Sequence, residues 1–330
     1  MSVVTRFAPS PTGALHLGHA YAAVVAHDLA RAQGGRFLIR FDDLDTARVK
    51  PGMADAIVRQ LGALGLEPDD APVSQSQRTA LYDAALATLA KAELTYPCFC
   101  TRRDIAAEIA ASASAPHGID GPLYPGTCRH VSPQQRAARI AAGEPHAVRL
   151  DVARAAAQAG PLWWEEWGVD NPHPPGATRL LPSPGGRGRG PREAWEGEGA
   201  PPPEPNRRPS RHPCTPLIAG DVVLKRRDGA HAYHLASTID DAALGISNVT
   251  RGADLFGATH VHRLLQAVLD LPTPRYHHHA LVADARGRRL ATRDAAADLD
   301  ALSRSGYAGK SLGQALREGR LPLGFRLIAP

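Results

Sequence analysis

The 330-residue chain is long enough for one large domain or two ordinary ones, and its 43% hydrophobic and 22% charged residues fit a globular protein with a sizeable core. A formal net charge of +5 and a pI near 9.2 suit a nucleic-acid partner without requiring one, because part of the excess sits in a single Arg-rich stretch. The first residues lack a basic region followed by an apolar run, and no segment approaches the ~20 apolar residues of a membrane span, so a cytoplasmic protein without membrane contact is expected.

Residues 1–60 read as strand, turn, helix and strand. Val3 to Ala8 is an apolar run that stops at Pro9, and Pro11-Thr12-Gly13 is a turn. Leu15 to Ala32 is helical, with Leu17, Ala20, Val24 and Leu29 roughly on one face, and Gly34-Gly35 ends it. Arg36 to Phe41 is a candidate buried strand, which makes a βαβ unit and implies a parallel sheet. Pro51 opens another helix, carrying Met53, Ile57, Val58, Leu61 and Leu64, and a further helix runs from about Arg78 to Lys91. A small inserted module follows from Tyr96 to Ala147, and Val148-Arg149-Leu150 resumes strand-like character.

Gly168 to Pro216 is different. It holds nearly half of the 29 prolines and almost no aliphatic residues between Leu181 and Leu217. Such a segment buries too little apolar surface to offset the entropy of ordering, so it reads as disordered low-complexity sequence. The alternative is a basic RNA-binding arm using Arg187, Arg189, Arg207, Arg208 and Arg211. Beyond it, Asp221–Arg226 and Tyr233–Ile239 flank the turn Arg227-Asp228-Gly229 and read as a β-hairpin. Val249 to Gly252 ends another strand, and Thr259 to Leu269 is a helix.

Two clusters carry chemistry. In the first, Arg6-Phe7-Ala8-Pro9-Ser10-Pro11-Thr12-Gly13 leads into His16-Leu17-Gly18-His19. A helix N-terminus presents unpaired N–H groups to an anion, Gly18 permits close approach, and His16 and His19 can hydrogen-bond phosphate oxygens. Two histidines at i, i+3 can also share a metal or lie on the surface. The second cluster is Cys98, Cys100 and Cys128, with Tyr124 alongside. In a reducing compartment a tight cysteine group is more often a metal site than a disulfide framework. Three thiolates and a phenol oxygen make a tetrahedral set for Zn²⁺, against three buried cysteines without metal or a water in the fourth place.

His16 to His19 resembles the signature tetrapeptide of class I aminoacyl-tRNA synthetases, and Arg6 to His19 resembles the glutamyl/glutaminyl branch. The likeness continues through Arg40-Phe41-Asp42-Asp43-Leu44-Asp45, Tyr233 to Ala236, Asp240-Asp241 and Val249 to Leu255. It implies L-glutamate and ATP as substrates, with Mg²⁺ accompanying ATP. Arg6, Ala8, Ser10, Asp42, Tyr233 and Arg251 would line the glutamate pocket. Arg6 and Arg251 would pair carboxylates with bidentate geometry and Asp42 the ammonium, although Asp42 stands where the family usually has Glu. Catalysis would fall to His16, Gly18 and His19, and ATP contacts to His16, His19, Arg289, Thr292 and Arg293. Those last three align with the second signature, where Thr292 replaces the lysine that usually stabilises the triphosphate. Loss of such a cation costs on the order of 10²–10³ in rate. His277-His278-His279 reads as a strand leading to that loop rather than as a metal site.

Only 37 residues follow Arg293, too few for the family's helical anticodon-binding region. A catalytic core with Cys98, Cys100, Tyr124 and Cys128 in its inserted module resembles the short glutamyl-queuosine tRNA(Asp) synthetases. In these, one structural Zn²⁺ sits in the module, and glutamate is activated without tRNA and passed to the queuosine base of tRNA(Asp). The implied fold is α/β, a Rossmann-like class I catalytic domain with a small zinc-bearing insertion, expected as a monomer. Its parts are residues 1–95 and 148–167 with 217–300 for the catalytic domain, 96–147 for the insertion, 168–216 for the low-complexity passage and 301–330 for a short tail. A truncated glutamyl-tRNA synthetase and a catalytically impaired glutamate-, nucleotide- or tRNA-binding paralogue are the competing readings.

Overall fold

The computed structural model describes residues 2–111, 117–118, 121–167, 209–290 and 298–328. It begins with β1 (Val4–Phe7), α1 (Leu17–Ala32) and β2 (Arg36–Phe41), followed by α2 (Met53–Ala63), β3 (Val73–Ser74) and α3 (Thr79–Lys91). β1 and β2 pair in parallel from Val4↔Arg36 to Phe7↔Ile39, and β3 extends the sheet beyond β2. The tight return between α1 and β2 depends on Gly35, where a Cβ would lie 2.1 Å from the Val3 carbonyl oxygen.

The inserted module contains β4 (Thr95–Cys98), α4 (Arg102–Ala111), the two-residue strands β5 (His117–Gly118) and β6 (Gly121–Pro122), α5 (Pro133–Ala141) and β7 (Ala147–Leu150). Ser132 caps α5 reciprocally with Gln135, and Pro133 sits where its missing N–H costs nothing. The chain continues through α6 (Val152–Ala159) and β8 (Trp163–Glu166). After residues 168–208 come β9 (Ser210–Pro213), β10 (Val223–Lys225), α7 (Tyr233–Ala243), β11 (Asn248–Gly252), α8 (Ala258–Val268), β12 (Arg275–His279) and β13 (Leu281–Asp284). The last elements are α9 (Leu299–Arg304), α10 (Gly309–Arg317) and β14 (Phe325–Ile328). None of the described helices is long and apolar enough to cross a membrane.

β11 and β12 are parallel from Asn248↔Arg275 to Gly252↔His279, with β8 and β9 beyond β12. The Ser247 amide donates to the Val4 carbonyl at 3.0 Å, and the Val4 amide to Ser247 Oγ at 2.9 Å, so β11 lies beside β1. The strand order β3-β2-β1-β11-β12-β8 therefore reverses direction between β1 and β11. Open α/β sheets bind ligands at such a switch point, outside the carboxyl ends of the strands.

Two expectations are corrected. Tyr233–Ile239 is the start of helix α7, not the second strand of a hairpin. The hairpin survives as an isolated Lys225↔His231 bridge, an Arg226 N–H bonded to the Ala230 carbonyl and an Ala232 N–H bonded to the Leu224 carbonyl. The chain then turns helical because Leu235, Ala236, Asp240 and Asp241 all face inward, and α7 packs on α3 and α8. Order also returns earlier than composition suggests, since Ser210–Pro213 pairs antiparallel with Trp163–Glu166. Residues 168–208, including Arg187, Arg189, Arg207 and Arg208, lie outside the described residues. The C-terminal residues join the core: Leu302, Leu312, Leu316 and Leu321 pack in one cluster with Leu17 and Leu61.

Candidate active site

His16 caps α1. Its Nδ1 accepts the Gly18 and His19 backbone N–H groups at 3.1 and 3.3 Å, and His19 Nδ1 accepts the His16 N–H at 3.3 Å. The two rings stack with centroids 3.6 Å apart. This differs from the expectation of open helix-end amides, because the imidazoles occupy the Gly18 and His19 N–H groups. The space at Gly18 is used the same way: a Cβ there would meet the His16 ring at 3.1 Å. With both Nδ1 atoms accepting backbone N–H groups, the proton of each ring sits on Nε2. Burial, then His16 and Arg289, push the His19 pKa down to about 3, so it acts as a neutral donor.

Arg6 lies at the end of β1 and is buried. Its Nε and Nη2 bond the two oxygens of Asp241 at 2.9 and 3.3 Å, and Nη1 donates to the Thr250 carbonyl at 3.0 Å. Arg40 binds Asp241 through Nη1 and Asp42 through Nε, both at 2.7 Å, and Ser237 through Nη2. Asp240, next in the chain, takes Arg78, Gln75 and Tyr82 at 2.7–2.9 Å. Burial opposes ionisation of Asp241, but Arg6 and Arg40 hold its pKa below the ordinary value. Asp42 is raised, because burial outweighs Arg40. Ala8 is half-buried and Ser10 exposed, and the Asp42 N–H bonds the Pro9 carbonyl, which joins the two motifs at the strand ends.

Arg251, on β11, is buried among neutral groups. Nε donates to His278 Nε2 at 3.1 Å and Nη2 to Thr259 Oγ1 at 2.6 Å, while Nη1 meets Tyr233 Oη at 3.3 Å and His262 Nδ1 at 3.2 Å. Four of its N–H bonds are thus engaged, so the structure does not present the free bidentate fork expected for Arg251. The pocket instead combines its charge with the Tyr233 hydroxyl. Burial and Arg251 hold His262 neutral, and its Nε2 has no hydrogen-bond partner among the described residues. Burial also lowers His278 to about 4, against the Glu166 carboxylate 2.7 Å from its Nδ1.

Asp241, Thr259, His262, His278 and Glu166 were not assigned roles from sequence. The aspartate pair at 240–241 was a usable signal, whereas nothing local links Glu166 to His278. Arg289 forms an ion pair with Asp254 at 2.7 Å and is largely exposed. Thr292 and Arg293 lie outside the described residues. Asp298, just beyond them, forms a β-bridge with His16.

The cysteine cluster is assembled from β4 and the turn before α5. The Cys98, Cys100 and Cys128 Sγ atoms lie within 4.8 Å of one another. Tyr124 Oη is 3.4 Å from Cys98 Sγ and 3.6 Å from Cys100 Sγ, and it accepts the Cys128 N–H at 2.9 Å. Tetrahedral zinc with Zn–S near 2.3 Å sets sulfurs about 3.8 Å apart, so this donor set fits that ion. Burial pushes the Cys100 thiol up to about 12, a cost that a bound dication would reverse. The Arg149 guanidinium stacks 3.9 Å over the Tyr124 ring. Asp221 fastens the module to the body by accepting from Tyr96, Arg129 and the Val152 amide.

The family model for class I tRNA synthetases (E and Q), catalytic domain, matches residues 2–159 and 213–319. The glutamyl-Q tRNA(Asp) synthetase of Rhodobacter capsulatus is 44% identical over 296 residues, covering 88% of this chain and 91% of that protein. The Nocardia farcinica protein of the same name is 42% identical, with 94% and 81% covered. A crystal structure of the glutamate-tRNA synthetase from Elizabethkingia anophelis superposes with a TM-score of 0.64 at 22% identity, over 89% of this chain. The chain spans about half of that structure, 53% of its length. A switch-point site built on the His16–His19 cap, and relatives alike over nearly their whole length, place the chain in the glutamyl-Q tRNA(Asp) synthetase family of class I tRNA synthetases.

Proposed function

We propose that the chain activates L-glutamate with ATP and transfers the glutamyl group to the queuosine base of tRNA(Asp). The observation that carries this reading is Arg251, a buried guanidinium whose hydrogen-bond partners are all neutral. A buried cation whose hydrogen-bond partners are all neutral favours an anion beside it, and glutamate offers one. Arg251 and Tyr233 take one carboxylate, and Arg6, with Ala8 and Ser10 at the strand end, lines the rest of the pocket. Asp42 faces the ammonium.

An α-carboxylate oxygen of glutamate attacks the α-phosphorus of ATP. The bond to the bridging oxygen breaks, and pyrophosphate leaves. His16 and His19 donate through Nε2 to the oxygens on which charge builds, and the preorganised stack keeps both rings in place. Arg289 and Arg293 meet the departing phosphates, and Mg²⁺ enters with ATP. A hydroxyl of the queuosine base then attacks the glutamyl carbonyl, its proton is lost, and AMP leaves. Cys98, Cys100, Tyr124 and Cys128 hold one structural Zn²⁺, which fixes the inserted module.

The test is glutamate-dependent ATP–pyrophosphate exchange without tRNA, on the native chain and on Thr292→Lys, followed by labelled glutamate transfer to tRNA(Asp) with and without queuosine. Exchange by the native chain and queuosine-dependent transfer are expected. Exchange in Thr292→Lys alone favours the impaired reading, for which Thr292 is the specific observation. Exchange that requires tRNA(Glu), or exchange in neither protein, overturns the proposal.

A further inference from the structure

Glu166 ends β8, and its side chain is fully buried together with that of His278. The β8–β12 ladder pairs Tyr276 with Glu166. Past that rung the Glu166 side chain takes over: Oε1 accepts the His278 backbone N–H at 3.0 Å and Oε2 faces the same residue's Nδ1 at 2.7 Å. A carboxylate only accepts, so Nδ1 carries the proton and Nε2 is the bare nitrogen. That nitrogen receives Arg251 Nε–H at 3.1 Å. The arrangement is directional: reversing the ring tautomer would set one donor against another at Arg251.

We infer that Glu166 and His278 are positioning residues for Arg251. They fix its orientation through a neutral imidazole, which leaves the guanidinium charge for the acidic side chain of the amino-acid substrate. The inference rests on the glutamate reading above and deepens it, since the pair becomes a determinant of acid over amide. A carboxylate bonded directly to Arg251 would satisfy the geometry and cancel the charge. An interposed histidine does the first without the second. Glu166→Gln sets an amide N–H where Glu166 has an oxygen, so either a bond to His278 fails or the ring moves its proton to Nε2 and opposes Arg251. His278→Gln keeps an acceptor for Arg251 and a donor for Glu166, whereas His278→Leu keeps neither.

Two measurements test this. Nitrogen-15 NMR of the imidazoles at neutral pH, assigned with His278→Gln, should find His278 protonated on Nδ1, whereas the His16 and His19 contacts require Nε2. This readout does not depend on turnover. In glutamate-dependent exchange, Glu166→Gln and His278→Leu should raise KM for glutamate about tenfold or more and leave KM for ATP unchanged, as expected for a misdirected charged hydrogen bond. His278→Gln should stay near native and keep the preference for glutamate over glutamine. A native His278 protonated on Nε2, or a Glu166→Gln enzyme with native glutamate KM, overturns the inference. Exchange in neither the native chain nor Thr292→Lys overturns the glutamate reading instead, and the tautomer result still decides whether the relay exists.

Discussion

Arg40 and Arg251 are both buried guanidiniums, 0% and 6% exposed, yet they are compensated in opposite ways. Arg40 sits between Asp241 and Asp42, with Arg6 sharing Asp241. Arg251 hydrogen-bonds a phenol, a hydroxyl and two imidazoles, and lies 5.3 Å over the Tyr276 ring, all neutral. A buried charge already neutralised by fixed carboxylates is framework, because nothing remains for a ligand to supply. A buried charge held by neutral acceptors keeps its field, and the folded protein carries that cost until an anion arrives.

The contrast can be broken most severely at Asp241. Asp241→Ala leaves Arg6 and Arg40 short of a partner in the interior, and urea denaturation should register a loss of about 3–5 kcal/mol. Arg251→Met, by the same reasoning, should leave the unfolding midpoint nearly unchanged and lower glutamate-dependent kcat/KM by about 10²–10³. A large stability loss at Arg251 would show that its neutral partners already compensate it. The cysteine cluster is the mirror case, donors gathered to hold a cation. The purified protein should carry one zinc, and Tyr124→Phe should weaken metal affinity by roughly 10–100-fold in a competition titration, the range seen when metal-site partners are removed.

A smaller effect sharpens the comparison through pH. The folded pKa values of His19, His260 and His278 fall to about 3, 4 and 4, chiefly by burial. The unfolded chain therefore binds more protons between those values and the ordinary histidine value of 6.5, so stability falls as pH drops through that window. Melting temperature should decline from pH 7 toward pH 4, and a flat profile would mean that these rings are charged in the fold.

The opening strand–helix–strand unit was legible because its punctuation is local: Pro9, Gly13 and Gly34-Gly35 bracket an apolar periodicity. Tyr233–Ile239 misled because Tyr233, Leu235 and Ile239 also suit a two-residue period, and only packing against α3 and α8 selects the helix. Of the motif residues, Arg6 and Asp42 are joined through Asp241 and Arg40, and Tyr233 meets Arg251. What could not be read was how each is held. Asp241 and Arg6 are 235 residues apart, and Glu166 and His278 are 112 apart, so the side chains that decide whether a charge is spent or free come from distant strand pairings. His16 as its own helix's cap was also hidden, since histidine is not a usual capping residue.

The β8–β9 pairing has a consequence for how this chain tolerates change. Glu166 and Ser210 are directly opposed, so the path that leaves after Trp167 comes back one rung from its departure. Closing such a path costs little more when it is long than when it is short. The passage is in effect a splice site: material can be gained, lost or exchanged there over evolution, or by an engineer replacing it with a four-residue turn. The constraint falls on its threshold, where Glu166 already turns inward toward His278.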